Sequence, residues 1–458
     1  MIDIPNNIHF IGIGGAGMSG IARILVGLGY KVTGSDIKES AVTEKLTDIG
    51  IKCFIGHRKE NVANAQMVVV STAIPPQNPE LVQAKQQNIP IVHRGEMLAK
   101  LMARQKGIAV AGSHGKTTTT SMMSLVLEKA GYDPTIVIGG ELNDIGGNAK
   151  LGHGDYLVAE ADESDGSFLL LEPNMVVLTN IEDDHLDHYG SVDKIFEAFK
   201  SFVNKINSGG LAVLCYDDPN IRKLLPEITA PTVTYGTAVE ADYTIRNMAL
   251  NGKANSADVY KGDQYIGRLE LAVPGRHNLL NALAVVAMSL HIGLDFPAVA
   301  EILWHFRGVH RRYQLLGEVN DIKVVDDYAH HPTEIKATLQ GARQTNPARI
   351  ISIFQPHRYT RTKQLHEQFG AALTGADIVI INDIYSAGES PIDGVTAQLI
   401  VNAARRNNIA QVVYIEDLKN VAPYVAGIAQ RGDLILTMGA GNVWTAGVEL
   451  VKELKERF

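Results

Sequence analysis

The sequence predicts an α/β protein of three domains, each built on a mainly parallel sheet. Short apolar runs alternate with helical patterns along all 458 residues, as strands joined by crossover helices do. The pattern restarts twice, and the first two stretches each open as strand, glycine loop and helix. The length is too great for one core and suits about three domains of about 150 residues. The predicted divisions are 1–102, 103–315 and 316–458.

In the first domain IHFIGIG is a buried strand, a helix begins near Met18, and KVTGSD and QMVVVSTAI follow as strands. Pro75 and Pro76 close the last of these. The basic helical segment MLAKLMARQK leads into GIAVAG, the first strand of the second domain. YLVAEAD and MVVLTNI are further strands there, 230–272 forms a small β-rich elaboration, and PGRHNLLNALAVVAMSL opens a helix. The third domain offers five strands, KVVDDYA, RIISIFQP, DIVIINDIY, QVVYIED and DLILTMGAG.

Composition narrows the function. Hydrophobic residues make up 45% and charged residues 20%, as in ordinary globular enzymes. A net charge of −8 supplies no basic excess to neutralise phosphates, so nucleic acid is not an expected partner. Cys53 and Cys215 lack metal-ligand spacing and suit a reducing compartment. No basic-then-apolar leader opens the chain and no run is long enough to span a membrane, so a cytoplasmic protein is expected.

The first glycine cluster, Gly12 to Gly17, reads G-x-G-x-x-G, and its amides suit a diphosphate at a helix N-terminus. Asp36 ends the next strand, where a ribose-binding carboxylate sits in dinucleotide enzymes. NAD, another nucleoside diphosphate, or a tight turn that needs glycine all satisfy this motif alone. The second cluster, GSHGKTTTT, places Gly112, Ser113, His114, Gly115, Lys116, Thr117 and Thr118 between strand and helix. Amides would wrap phosphate, Lys116 would reach the transferred group, and Thr117 would hold Mg²⁺. Val110 stands where a strict Walker A loop has its first glycine.

Two later strands end in acidic residues: Glu160 on one, and Asp183, Asp184, His185 and Asp187 after the other. Strand C-termini form the ligand crevice of an open α/β sheet, so both ends should converge on the phosphate loop and suit Mg²⁺. Asn278 and Asn281 lie three apart on a helix start, where adenine or phosphate contact competes with capping. GVHRRYQ, DDYAHHPTE and FQPHRYTRT cluster Arg311, Arg312, Asp326, Asp327, Tyr328, His330, His331, His357, Arg358 and Arg361, an arrangement suited to an anionic substrate.

Taken in order, GSHGKTTTT, EADESD, TNIEDDHLDHY, GRHNLLN, GVHRRYQ, DDYAHHPTE and FQPHRYTRT resemble the Mur ligases over essentially the whole chain. Ser113 replaces the threonine usual in that family. GIGGAGMSG, EADESD and FQPHRYTRT are most similar to the L-alanine-adding branch. The resemblance implies a Rossmann-like N-terminal domain for a UDP-sugar, a central P-loop ATPase and a Rossmann-like C-terminal domain. It implies ATP and two Mg²⁺ ions as cofactors, UDP-N-acetylmuramate and L-alanine as substrates, and coupling through an acyl phosphate. Lys116, Glu160, His185, Arg312 and Asp327 would be catalytic, with Thr117, Glu160 and His185 as metal ligands. Asn278, Asn281, Arg312 and Asp327 would join the loop around ATP. Gly14, Gly15, Ala16, Gly17, Met18, Asp36, Ser71, Arg94 and Glu96 would surround the UDP group, and Tyr328, His330, Arg358 and Arg361 the muramoyl carboxylate and amino acid. The oligomeric state stays open, a homodimer included.

Three other readings compete. The sister ligase that attaches murein tripeptide shares the loop and the UDP site. A nicotinamide dehydrogenase would account for GIGGAG but leave GSHGKTT unexplained. A non-catalytic UDP-sugar sensor would not need Lys116, Glu160 and His185.

Overall fold

The computed structural model describes residues 4–142, 146–251 and 254–458, apart from the side chains of Leu186 and Asp187. Asp187, one of the predicted acidic residues, therefore has no described side chain. Contacts divide the chain into two compact units. One comprises Met1–Arg246, Asp258–Gly267 and Leu280–Leu303, the other Asn247–Ala257, Arg268–Leu279 and Trp304–Phe458. Three sheets run through them.

The first sheet contains β1 (Asn7–Ile11), β2 (Lys31–Asp36), β3 (Lys52–Ile55), β4 (Met67–Val70) and β5 (Ile91–His93) in the order 3-2-1-4-5, all parallel. Apolar Ile8, Phe10 and Ile11 bury β1, as a strand covered on both faces requires. The helix Ala16–Gly27 follows the first glycine loop without a side-chain cap at Gly15, so its first turn offers backbone N–H groups. Under the loop, buried Glu80 accepts hydrogen bonds from Ser35 Oγ at 2.5 Å and from the Asn61 amide. Burial would raise this carboxyl, but His9, Ser35 and Asn61 outweigh it and hold it down to about 2. The Ser35 carbonyl in turn accepts the N–H groups of Gly12 and Ile13.

The second sheet comprises β6 (Lys106–Ala111), β7 (Thr135–Leu142), β8 (Gly147–Lys150), β9 (Tyr156–Glu160), β10 (Met175–Leu178), β11 (Leu211–Cys215), β12 (Thr232–Gly236), β13 (Tyr243–Leu250), β14 (Asn255–Lys261) and β15 (Gln264–Leu271). Its order is 15-14-13-12-11-10-6-9-7-8, with β6 beside β9 and β10. The β-rich stretch expected over 230–272 thus continues the central sheet. β8 runs antiparallel to β7.

The third sheet holds β16 (Gln314–Val319), β17 (Ile322–Asp327), β18 (Arg349–Phe354), β19 (Ile378–Asn382), β20 (Gln411–Ile415) and β21 (Asp433–Met438), ordered 16-17-21-18-19-20. All five predicted strands are present. β16 is additional, pairs antiparallel with β17, and spans the expected division at 315/316. Apolar clusters on both sides, one around Phe354 and Phe369 and one around Ile351 and Ile435, bury this sheet.

Candidate active site

The phosphate loop connects β6 to the helix Lys116–Lys129. Gly112 takes φ +130° and Gly115 φ +82°, conformations a side chain would strain. A Cβ on Gly112 would also lie 2.2 Å from Thr179 Oγ1, so glycine is required there. The end of β10 fastens the loop: Asn180 Oδ1 accepts the His114 N–H at 2.8 Å, and Thr179 Oγ1 donates to the His114 carbonyl at 2.6 Å. Ser113 Oγ accepts the Glu182 N–H at 2.8 Å, so the hydroxyl at this position helps to fix the loop. Buried Asn281 lies against Gly115, whose Cβ would meet its Oδ1 at 2.9 Å.

Lys116 donates to the carbonyls of Gly112 at 2.6 Å and Ser113 at 3.1 Å, and to Glu163 Oε1 at 2.8 Å. Burial works against the ammonium, but the carboxylates of Glu163 and Glu160 outweigh it and hold its pKa above the ordinary lysine value. Thr117 Oγ1 donates to Glu160 Oε1 at 3.1 Å, and Glu160 Oε2 accepts the Gly139 N–H of β7 at 2.9 Å. His185, at φ +59°, has its Nε2 3.6 Å from Glu163 Oε1. Glu160 and His185, predicted to act together, thus make separate contacts, Glu160 with Thr117 and His185 with Glu163, the carboxylate that also takes Lys116. Glu163 was not singled out in the sequence, where it is one of four acids in EADESD. Its Oε2 is buried without a protein partner among the described residues.

At the first glycine loop, Asp36 Oδ2 accepts the Gly14 N–H at 2.8 Å. The carboxylate expected to meet a ribose thus holds the loop itself. Met18 is buried, the Ser71 carbonyl opens the turn into Pro75, and Glu96 pairs with Lys100 at 3.6 Å. Arg94 lies against Gly17 and pairs with Asp162 at 3.0 Å.

The other unit gathers the remaining predicted residues at the ends of β17 and β18. Asp327 is buried and accepts from Ala329 N, Tyr313 N and Thr338 Oγ1. Burial raises its carboxyl to about 6 against the pull of Arg312. Arg311 and Arg312 stand over the Tyr328 ring at 4.9 and 5.2 Å, and Arg311 pairs with Asp326 at 3.0 Å. His330 contacts Glu334 at 3.2 Å and meets the rings of Tyr328 and His357 edge-on. His357 stacks on Tyr385, and burial with Arg361 and Arg358 nearby lowers its pKa to about 4, so it is a neutral base at pH 7. Arg358 takes φ +73° at the start of the helix Tyr359–Ala372. Asn278 lies inside its helix, not at the cap, and donates to the Pro274 carbonyl at 2.6 Å.

A phosphate loop with a hydroxyl–carboxylate pair beside it, and a strand-end cluster of arginines and histidines, define a phosphate-handling enzyme of the α/β class. Models described as the Mur ligase family catalytic domain, the Mur ligase middle domain and the Mur ligase glutamate ligase domain match residues 7–106, 110–289 and 311–441. The UDP-N-acetylmuramate–L-alanine ligase of Pelotomaculum thermopropionicum is 58% identical over 456 residues, with 99% of both chains covered. That of Desulforamulus reducens is 55% identical, with 98% of both covered. The solved UDP-N-acetylmuramate–alanine ligase of Thermotoga maritima superposes with a TM-score of 0.84 at 32% identity, covering 99% of this chain and 100% of that one. The murein peptide ligase of Psychrobacter arcticus gives 0.73 at 26%, covering 98% and 99%. The chain belongs to the Mur ligase family.

Proposed function

We propose that this protein joins L-alanine to the lactyl carboxylate of UDP-N-acetylmuramate at the expense of ATP, in the cytoplasm, as the first peptide-forming step of peptidoglycan precursor synthesis. The end-to-end likeness to ligases of that name supports it, and so does the Lys116 arrangement. The lactyl carboxylate attacks the γ-phosphorus and ADP leaves, giving an acyl phosphate. The amine of L-alanine then attacks the acyl carbon, losing a proton as inorganic phosphate departs. A carboxylate approaching a triphosphate meets like charge, so fixed cations must precede the reaction. Lys116 is such a cation, held protonated beside loop amides that would receive the phosphates.

The donor set fits Mg²⁺. Thr117 hydroxyl and Glu160 carboxylate already lie together, and Glu163 keeps a buried carboxylate oxygen without a protein partner among the described residues. Thr117, Glu160 and His185 would hold the metal, which supplies neutralising charge when bound. Asn278, Asn281, Arg312 and Asp327 are assigned to ATP, and Tyr328, His330, Arg358 and Arg361 to the muramoyl carboxylate and amino acid. The three domains divide near 102 and just before β16, which belongs to the third sheet. The Gly14 to Met18 loop with Asp36, Ser71, Arg94 and Glu96 forms the UDP end.

Release of ADP with UDP-N-acetylmuramate and a panel of acceptors tests this reading. L-Alanine is expected to drive turnover and murein tripeptide not to. Turnover with the tripeptide alone would assign the sister activity.

A further inference from the structure

The segment after β9 carries two carboxylates that the mechanism does not use. Asp162 Oδ2 lies 3.0 Å from Arg94 Nη2, and Asp165 Oδ2 lies 3.6 Å from the same nitrogen. Asp165 also faces His93 Nε2 at 3.6 Å. Each carboxylate divides its oxygens in the same way. Asp162 Oδ1 accepts the Ser164 N–H at 3.1 Å and Asp165 Oδ1 accepts the Ser167 N–H at 3.0 Å, which leaves both Oδ2 atoms aimed at Arg94.

Two glycines let the parts come together. A Cβ on Gly95 would meet Ser167 Cβ at 2.6 Å, so the residue after Arg94 must be glycine to lie against the acidic turn. A Cβ on Gly17 would meet Arg94 Nη1 at 2.8 Å and Cδ at 2.9 Å, so the arginine packs against this last glycine of the motif, in the first turn of the following helix. One side chain therefore touches the loop that faces the sugar nucleotide and the turn that follows Glu160.

We propose that Asp162 and Asp165 are positioning residues for the sugar nucleotide: they hold Arg94 at the glycine loop in the orientation that receives an anionic ligand, without touching that ligand. This rests on the reading above, in which the loop takes the UDP end. Electrostatics makes the test decisive in sign. Two carboxylates beside Arg94 lower the positive potential that an approaching diphosphate meets. If crowding were their only effect, neutralising one would tighten binding. If they orient a planar fork whose geometry matters, neutralising one loosens the guanidinium and weakens binding.

The experiment is calorimetric titration of UDP-N-acetylmuramate into the full-length protein, with steady-state kinetics on the same samples. Asp162→Asn is expected to weaken binding about 10-fold, the scale of one charge-assisted hydrogen bond. The change should fall on the KM for UDP-N-acetylmuramate far more than on the KM for ATP. Arg94→Ala should weaken binding at least as much, and adding Asp162→Asn to it should change nothing further, since the aspartate acts through the arginine. Asp165→Asn, with its thermal melt, gives a second route should Asp162→Asn fold poorly. Unchanged or tighter binding in the folded aspartate variants, or full additivity with Arg94→Ala, would overturn the proposal. Wild-type protein that binds no UDP-N-acetylmuramate would overturn the reading beneath it, and this proposal with it.

Discussion

Glu160 accepts the Thr117 hydroxyl with one oxygen and the Gly139 N–H with the other, and His185 lies beside Glu163, the carboxylate that also takes Lys116. Glu160→Ala and His185→Ala should each lower kcat about 100-fold, with UDP-N-acetylmuramate affinity nearly unchanged. The double variant should lose much less than the product of the two, because both residues serve one charge. Near-normal turnover of either at saturating Mg²⁺ would refute the assignment. Asp327 gives a pH signature instead. Its folded pKa of about 6 lies above the ordinary 3.8, so between these values the folded state keeps a proton that the unfolded chain has released. Stability therefore falls as pH rises from about 4 to about 6, by roughly 3 kcal/mol in total. Asp327→Asn should flatten the melting temperature across that window, and an unaltered slope would place the titration elsewhere.

Elements show why sequence reading stopped where it did. The five strands of the third domain were legible because each is a continuous apolar run. β16 was not, because QLLGEV is half exposed and sits behind the arginines of GVHRRYQ. β3 and β5, at four and three residues, are too short to show a period. Lys116, Thr117 and Glu160 were legible because a strand, a glycine loop and a helix fix where their side chains point. Glu163 was not, since only the turn after β9 decides which acid of EADESD faces the lysine. The same element logic separates two kinds of glycine. Gly139 sits in β7, where a Cβ would lie 2.7 Å from Glu160 Oε2, whereas Gly29 at φ +89° has open space around it. Gly139→Ala should cut kcat at least 10-fold by displacing that carboxylate, on the scale of one preorganised group. Gly29→Ala should cost about 1 kcal/mol of stability and leave turnover intact. Equal kinetics in the two variants would contradict this.

For the whole molecule, the first glycine loop is the point on which a dehydrogenase reading and a ligase reading part. Asp36 Oδ2 accepts the Gly14 N–H, so this carboxylate shapes the loop for either nucleotide and ligand binding decides between them. UDP-N-acetylmuramate at 100 times its Kd should stabilise the native protein by about 2.7 kcal/mol, seen as a higher melting temperature, and NAD should produce no shift. A shift with NAD alone would reverse the assignment. Among the described residues no helix is long and apolar enough to cross a membrane. The grip on Lys116 also bears on covalent labelling of the intact protein. An amine attacks an acylating reagent only through its unprotonated lone pair, and two backbone carbonyls with the carboxylates of Glu163 and Glu160 favour the protonated form of this one. In a lysine-reactivity profile Lys116 should therefore label far more slowly than exposed Lys38 or Lys59, and Glu163→Gln should speed it. An inhibitor built to capture the phosphate-loop lysine would meet an amine biased further toward its protonated form than an ordinary lysine.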